Sequence, residues 1–140
     1  VSNFARPGFR SRHNSSYWRG EKYLGLGPSA HSYNGTERRW NIPNNNLYIK
    51  GITETCANRE AETLTSAQKL NEYIMISLRT IEGMDLNQLE KNFGEAERKR
   101  VEKQIQKFID NDFIQLNHSL VQLTDEGMLK ADGIASELFA

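Results

Sequence analysis

Apolar positions are spaced unevenly along this 140-residue chain: the second half is periodic and the first is not. Beyond Ser66, Leu70, Ile74, Leu78 and Ile81 recur at intervals of four, four and three, which predicts an amphipathic helix to about residue 82. Thr65-Ser66-Ala67-Gln68 has the form of a capping box, and Gly83 is placed to end the helix. Asp85 can cap a short helix over 86–93 that Gly94 closes. Val101, Ile105, Phe108 and Ile109 then share one face of a third helix over about 95–111. Residues 113–116 and 120–123 flank Asn117-His118-Ser119, the pattern of a β-hairpin. Thr124 caps a last helix, with Asp125 and Glu126 in its electropositive first turn. Helix, short helix, helix, hairpin, helix is the order of a winged helix.

The first half offers only short extended pieces, at about 2–5 and 22–25, between loops rich in Gly, Asn and Arg. No regular helix is expected before residue 47, and 53–64 reads as a polar linker or an exposed crossing helix. Sixty such residues bury too little apolar area to offset a chain entropy of roughly 1–2 kcal/mol per ordered residue, so they require a partner surface.

Charge and composition sharpen this division. Residues 1–63 hold nine Lys/Arg and five Asp/Glu, while 64–140 hold nine and thirteen, so a net charge of zero separates into +4 and −4. All three prolines and six of the ten glycines fall within the first 51 residues. The expected organisation is an incomplete domain over 1–45, a linking segment over 46–64 and a winged-helix-like domain over 65–140. No apolar run approaches the roughly 20 residues of a membrane span, and the N-terminus has neither a signal-peptide pattern nor an initiator Met. The chain therefore reads as a piece whose front is missing. A single cysteine, Cys56, excludes an internal disulfide and a cysteine-only metal site, and agrees with a reducing cytoplasm.

Three clusters could carry chemistry. In His13-Asn14-Ser15-Ser16-Tyr17-Trp18 a neutral imidazole can ligate heme iron, and the aromatic rings can pack on a porphyrin face. From the residues alone, a structural histidine beside two core aromatics is the simpler reading. Gly25-Leu26-Gly27-Pro28-Ser29-Ala30 formally matches a dinucleotide fingerprint, but no strand-helix-strand unit surrounds it, and a tight structural turn explains it equally well. Arg38-Arg39-Trp40-Asn41 could contact an anion or nucleic acid, or form a surface loop in which Trp40 packs against a missing domain. The third helix carries Arg98, Lys99, Arg100, Lys103 and Lys107 but also Glu95, Glu97, Glu102 and Asp110, a net +1 within a unit of −4. DNA affinity depends on neutralised phosphates, so nucleic acid is not expected as a partner. No self-contained catalytic constellation is present.

Taken together in order and spacing, Ser2-Asn3-Phe4-Ala5-Arg6-Pro7-Gly8, His13-Asn14-x-x-Tyr17-Trp18, Tyr23-Leu24-Gly25-Leu26-Gly27-Pro28-Ser29-Ala30-His31-Ser32 and Arg38-Arg39-Trp40-Asn41 resemble a known family. It is the radical S-adenosylmethionine family related to oxygen-independent coproporphyrinogen III oxidase, and more narrowly its heme chaperone (HemW) branch. Leu123-Thr124-x-x-Gly127 resembles the C-terminal domain of the same family.

The resemblance implies an α+β chain: the tail of a partial (β/α) radical-SAM barrel followed by the winged-helix-like domain. It implies His13, Asn14, Tyr17 and Trp18 as the heme-associated motif, with His13 a ligand of heme iron, and places Gly27 and Ala30 beside S-adenosylmethionine. The [4Fe–4S] cluster of the family needs a three-cysteine motif that this chain does not contain, so the chain alone is expected to be inactive. The implied partners are heme or porphyrin, the missing barrel and proteins that receive heme; independently, exposed strand edges in an incomplete domain make a second copy of the chain a further expected partner. Three functions remain open: a heme chaperone, a coproporphyrinogen III oxidase, and, of another class, a winged-helix binding module.

Overall fold

The structure, a computed structural model, describes residues 5–54 and 59–140, so Cys56 and most of the extended piece expected at 2–5 lie outside the described residues. Along the chain come α1 (Arg12–Trp18), β1 (His31–Tyr33), β2 (Glu37–Asn41), α2 (Asn45–Thr53), β3 (Arg59–Thr63) and α3 (Ser66–Ser77). They are followed by β4 (Met84–Asp85), α4 (Leu86–Phe93), α5 (Glu95–Ile109), β5 (Ile114–Asn117), β6 (Leu120–Leu123), α6 (Asp125–Leu129) and α7 (Ala131–Glu137). The mixture is α+β, and the described residues form no closed barrel. The chain divides into two compact units, one made of Arg19–Leu64 and the other of Val1–Trp18 with Thr65–Ala140.

In the 19–64 unit, β1, β2 and β3 form an antiparallel sheet in sequence order. Asn34-Gly35 makes the β1–β2 turn: the Asn34 side-chain oxygen accepts from the amides of Thr36 at 2.9 Å and Glu37 at 2.8 Å, and Gly35 takes φ +98°. That pair is a recognised hairpin signal, and it turns a region expected to hold only weak strands into a regular sheet. Residues 38–41, read as an anion or nucleic-acid contact or as a surface loop, are most of β2. Two helices also stand where none was expected before residue 47: α1, and the start of α2, capped by Asn44 accepting from the Leu47 amide at 3.0 Å. The polar stretch read as a linker contains β3, whose pairing with all five residues of β2 makes it part of the sheet.

The other unit is built on the periodic half. Leu70, Ile74 and Leu78 meet Met84, Leu86, Leu89, Val101, Ile105, Phe108, Ile114, Val121, Ile134, Ala135 and Leu138 in one buried core. Each large side chain there contributes roughly 1.5–3 kcal/mol of transfer free energy, so this cluster, and not helix propensity, dominates the stability of the unit. The caps read from sequence are present: Thr65 and Gln68 make both bonds of a capping box, Asp85 accepts from Asn87 at 2.9 Å, and Thr124 accepts from Gly127 at 3.1 Å. Strands β4, β6 and β5 form a three-stranded antiparallel sheet beside α3, α4 and α5.

Two boundaries differ from expectation. Helix α3 stops at Ser77, not near 82, because the Ser77 hydroxyl turns back to the carbonyls of Tyr73 and Ile74 while the Thr80 hydroxyl takes the Ser77 carbonyl. Ile81 consequently leaves the core face and is 70% exposed. The single last helix is two, α6 and α7, parted at Lys130; the second supplies Ile134 and Ala135 to the core, and its C-cap residue supplies Leu138.

Candidate functional site

Helix α1 carries the first candidate cluster. The Ser11 hydroxyl accepts from the Asn14 amide at 3.3 Å and the Ser11 carbonyl from the Ser15 amide at 3.0 Å, which starts the helix. At 3.6 residues per turn, positions 13, 14, 17 and 18 fall within an arc of about 140°. The spacing His-Asn-x-x-Tyr-Trp therefore sets all four side chains on one side of the helix. Ser15 and Ser16 occupy the other side and donate back to the carbonyls of Ser11 and Arg12.

The motif side is open. His13, Asn14, Tyr17 and Trp18 are all exposed, Tyr17 at 40% and Trp18 at 38%. A structural histidine packed between core aromatics is therefore not what the structure contains. The His13 and Tyr17 rings meet edge to face, with centroids 4.9 Å apart and planes at 85°. This contact holds the imidazole on its helix without burying it, which leaves the imidazole open to a ligand.

The glycine loop lies in the 19–64 unit and is shaped from within. A Cβ on Gly25 would fall 2.1 Å from the His31 carbonyl oxygen, so only glycine fits there. The Gly25 amide donates to the Ser32 hydroxyl at 3.0 Å, the Gly27 amide to the Tyr48 hydroxyl at 3.0 Å, and the Ala30 amide to the Gly27 carbonyl at 3.3 Å. Asn41, only 4% exposed, closes the loop through its side-chain amide on the Gly27 carbonyl, at 2.8 Å, and its own N–H on the Ala30 carbonyl, at 3.0 Å. With the Gly25, Gly27 and Ala30 amides committed internally, the loop is not the cradle of free N–H groups that a dinucleotide phosphate requires. The formal fingerprint match is a structural turn. Sequence reasoning missed Asn41 and Tyr48 as the residues that hold Gly27 and Ala30, because partners 11 to 21 positions away leave no local signal.

Beside this loop, three residues at the same cross-strand level form a row, His31, Trp40 and Glu60. The Trp40 indole donates to Glu60 at 2.8 Å, and the His31 and Trp40 rings lie 5.9 Å apart. Trp40 is thus a member of its own sheet.

On α5 four of the five cations are engaged. Arg98 bonds Glu90, Glu102 and Asn87, Lys99 pairs with Glu95, and Lys107 with Glu137. Arg100 pairs with Glu97 and donates to the carbonyls of Leu138 at 2.9 Å and Phe139 at 3.2 Å, so it caps the end of α7. A phosphate would have to displace these partners. No group of three or more His, Cys, Asp or Glu able to hold a metal occurs among the described residues. A chain with one cysteine does not fit an iron–sulfur cluster on three cysteines, and no step is assigned through one here.

Comparison with known proteins follows the same division. Residues 64–129 match the HemN C-terminal domain. Nearly the whole chain, 99%, is similar to heme chaperone HemW of Mycobacterium tuberculosis at 33% identity. It is also similar to heme chaperone HemW of Bacillus subtilis, at 29% identity over 92% of the chain. A mitochondrial radical S-adenosyl methionine domain-containing protein 1 from Danio rerio matches at 32% identity over 96% of the chain. Among solved structures, the radical SAM enzyme coproporphyrinogen III oxidase (HemN) of Escherichia coli shares the fold with a TM-score of 0.64 at 19% identity, over 86% of this chain and 29% of that one. The chain spans about a third of the length of the curated relatives it matches: 34% of the M. tuberculosis and B. subtilis proteins and 33% of the fish protein.

Proposed function

The chain belongs to the family that contains the HemN C-terminal domain and heme chaperone HemW, and from that premise we propose that it is part of a protein that binds heme and passes it on. The observation that carries this reading is the single open face of α1, where His13, Asn14, Tyr17 and Trp18 stand together in solvent. Heme would bring an iron that a neutral imidazole can ligate. His13 offers that imidazole. Tyr17 restrains its ring through the edge-to-face contact, Trp18 adds an aromatic surface, and Asn14 an amide on the same side of the helix.

S-adenosylmethionine is assigned to the whole protein, with Gly27 and Ala30 beside it. Asn41 and Tyr48 would then serve by fixing the shape of that loop, and Gly25 by allowing His31 to approach. The cluster ligands are assigned outside this chain, and no catalysis is assigned within it. The receiving partner would be a heme-binding protein. No described helix is long and apolar enough to cross a membrane, and a lone cysteine suits the reducing cytoplasm proposed for the protein.

The reading is tested by adding hemin to the chain and following its Soret band. The expected result is a histidine-ligated spectrum that His13→Ala abolishes and Ser15→Ala leaves intact. An identical spectrum and affinity after His13→Ala would remove His13 from the site. Stable heme binding without turnover of coproporphyrinogen III, in the full-length protein, separates chaperone from oxidase.

A further inference from the structure

Helix α1 has seven residues and buries none of them. So short a helix is marginal in water by itself, since isolated helices below roughly 12–15 residues do not persist. Its internal bonds, from the Ser11 cap and the back-bonding serines, fix its shape but not its place. One side-chain ion pair reaches from its approach to the periodic half of the chain: the Arg10 guanidinium donates to the Glu82 carboxylate, 72 positions away and next to the cap.

Glu82 is well placed to receive it. It lies in the turn after α3, and that turn is fastened on both sides. Before it, Arg79 pairs with Asp132 of α7. The Ile81 carbonyl accepts from the Gln122 side chain of β6 at 2.8 Å. After it, Gly83 holds φ +78°, where a Cβ would fall 2.4 Å from the Val121 carbonyl oxygen. The carboxylate is therefore offered from a rigid platform, and the Arg10 hydrogen bond draws its pKa below the ordinary value.

We propose that Glu82 is a positioning residue for the His13 helix: through Arg10 it biases where this unit presents the motif. This rests on the heme reading for its consequence, but not for its geometry. An exposed ion pair of this kind is worth a population shift of about two- to five-fold, so it biases the placement of α1 and does not lock it.

The test has one arm without heme and one with it. In the heme-free chain, Glu82→Gln is expected to speed amide hydrogen exchange at Asn14–Trp18 about two- to five-fold while leaving α5 unchanged. The swap Arg10→Glu with Glu82→Arg is expected to restore the wild-type rates, which a merely destabilised fold would not do. Unchanged exchange in Glu82→Gln, or a swap that restores nothing, overturns the tether. With hemin added, Glu82→Gln should weaken binding by a similar factor and the swap should recover it. If the wild type takes up no heme while the exchange arm behaves as described, the tether stands and the heme reading falls. If heme affinity is equal in wild type and Glu82→Gln despite the faster exchange, the positioning role is overturned.

Discussion

The side-chain amide of Asn41 donates to the carbonyl of Gly27 at 2.8 Å, from a position at the end of β2 that is almost wholly buried. That bond, together with the Asn41 N–H on the Ala30 carbonyl, ties a loop with two glycines to the strand that organises the 19–64 unit.

Asn41→Ala removes the donor and leaves the Gly27 carbonyl without its buried partner, at a cost of about 1–3 kcal/mol to this unit. Asn41→Asp is expected to be worse, because a carboxylate would face the Gly27 and Gly25 carbonyls in place of a donor. Amide exchange at Ser29 and Ala30 reports the effect directly. Unaltered protection in Asn41→Asp would show that the loop holds without it.

Gly127 packs under the hairpin. A Cβ there would lie 2.0 Å from the carbonyl oxygen of Phe113, which also accepts from the Thr124 amide at 3.1 Å. Making room means moving backbone and loosening the Thr124 cap, so Gly127→Ala should lower stability by about 1–3 kcal/mol. A denaturation midpoint equal to that of the parent chain would contradict this.

Arg100 is a fastener of the C-terminal helix. Arg100→Ala should destabilise the unit by about 1.5–3 kcal/mol, the range for hydrogen bonds from a charged group, through loss of its bonds to the Leu138 and Phe139 carbonyls. The loss should appear in thermal melts with no nucleic acid present. A fully stable Arg100→Ala variant would return this residue to the solvent-facing set.

Burial raises the Tyr73 hydroxyl to about 12 from an ordinary value of 10.0, with the Asp85 carboxylate acting in the same direction, while the hydroxyl donates to the Asp85 carbonyl at 2.9 Å. A group raised on folding stabilises the protein fully below its unfolded pKa and loses that contribution as pH climbs through the folded one. The contribution should therefore be intact below pH 10 and gone above about pH 12. Absorbance at high pH should show a late tyrosine that Tyr73→Phe removes.

Legibility in the sequence followed the reach of the interactions. Residues 65–124 were readable because caps act over three positions and the core repeats at three and four, as at Thr65 with Gln68 and at Leu70, Ile74 and Leu78. The end of α3 was not, since three hydroxyl and backbone bonds around Ser77 outweighed a periodic position at Ile81. The β1–β2 hairpin went unread although Asn34-Gly35 marks its turn, and β3 was hidden, because a polar edge strand has no apolar alternation to betray it. At the candidate heme site the residue types and spacing were visible, and their openness was not. Burial belongs to what surrounds α1, and the sequence read His13 most simply as packed.

The contact between Arg10 and Glu82 also bears on the order in which the molecule assembles. Closing a loose loop of 72 residues costs roughly 4 kcal/mol in chain entropy, several times what an exposed ion pair returns. The pair therefore forms only once the intervening chain has folded and shortened that loop, making attachment of the His13 helix a late event, after the β1-β2-β3 sheet and α3 have formed.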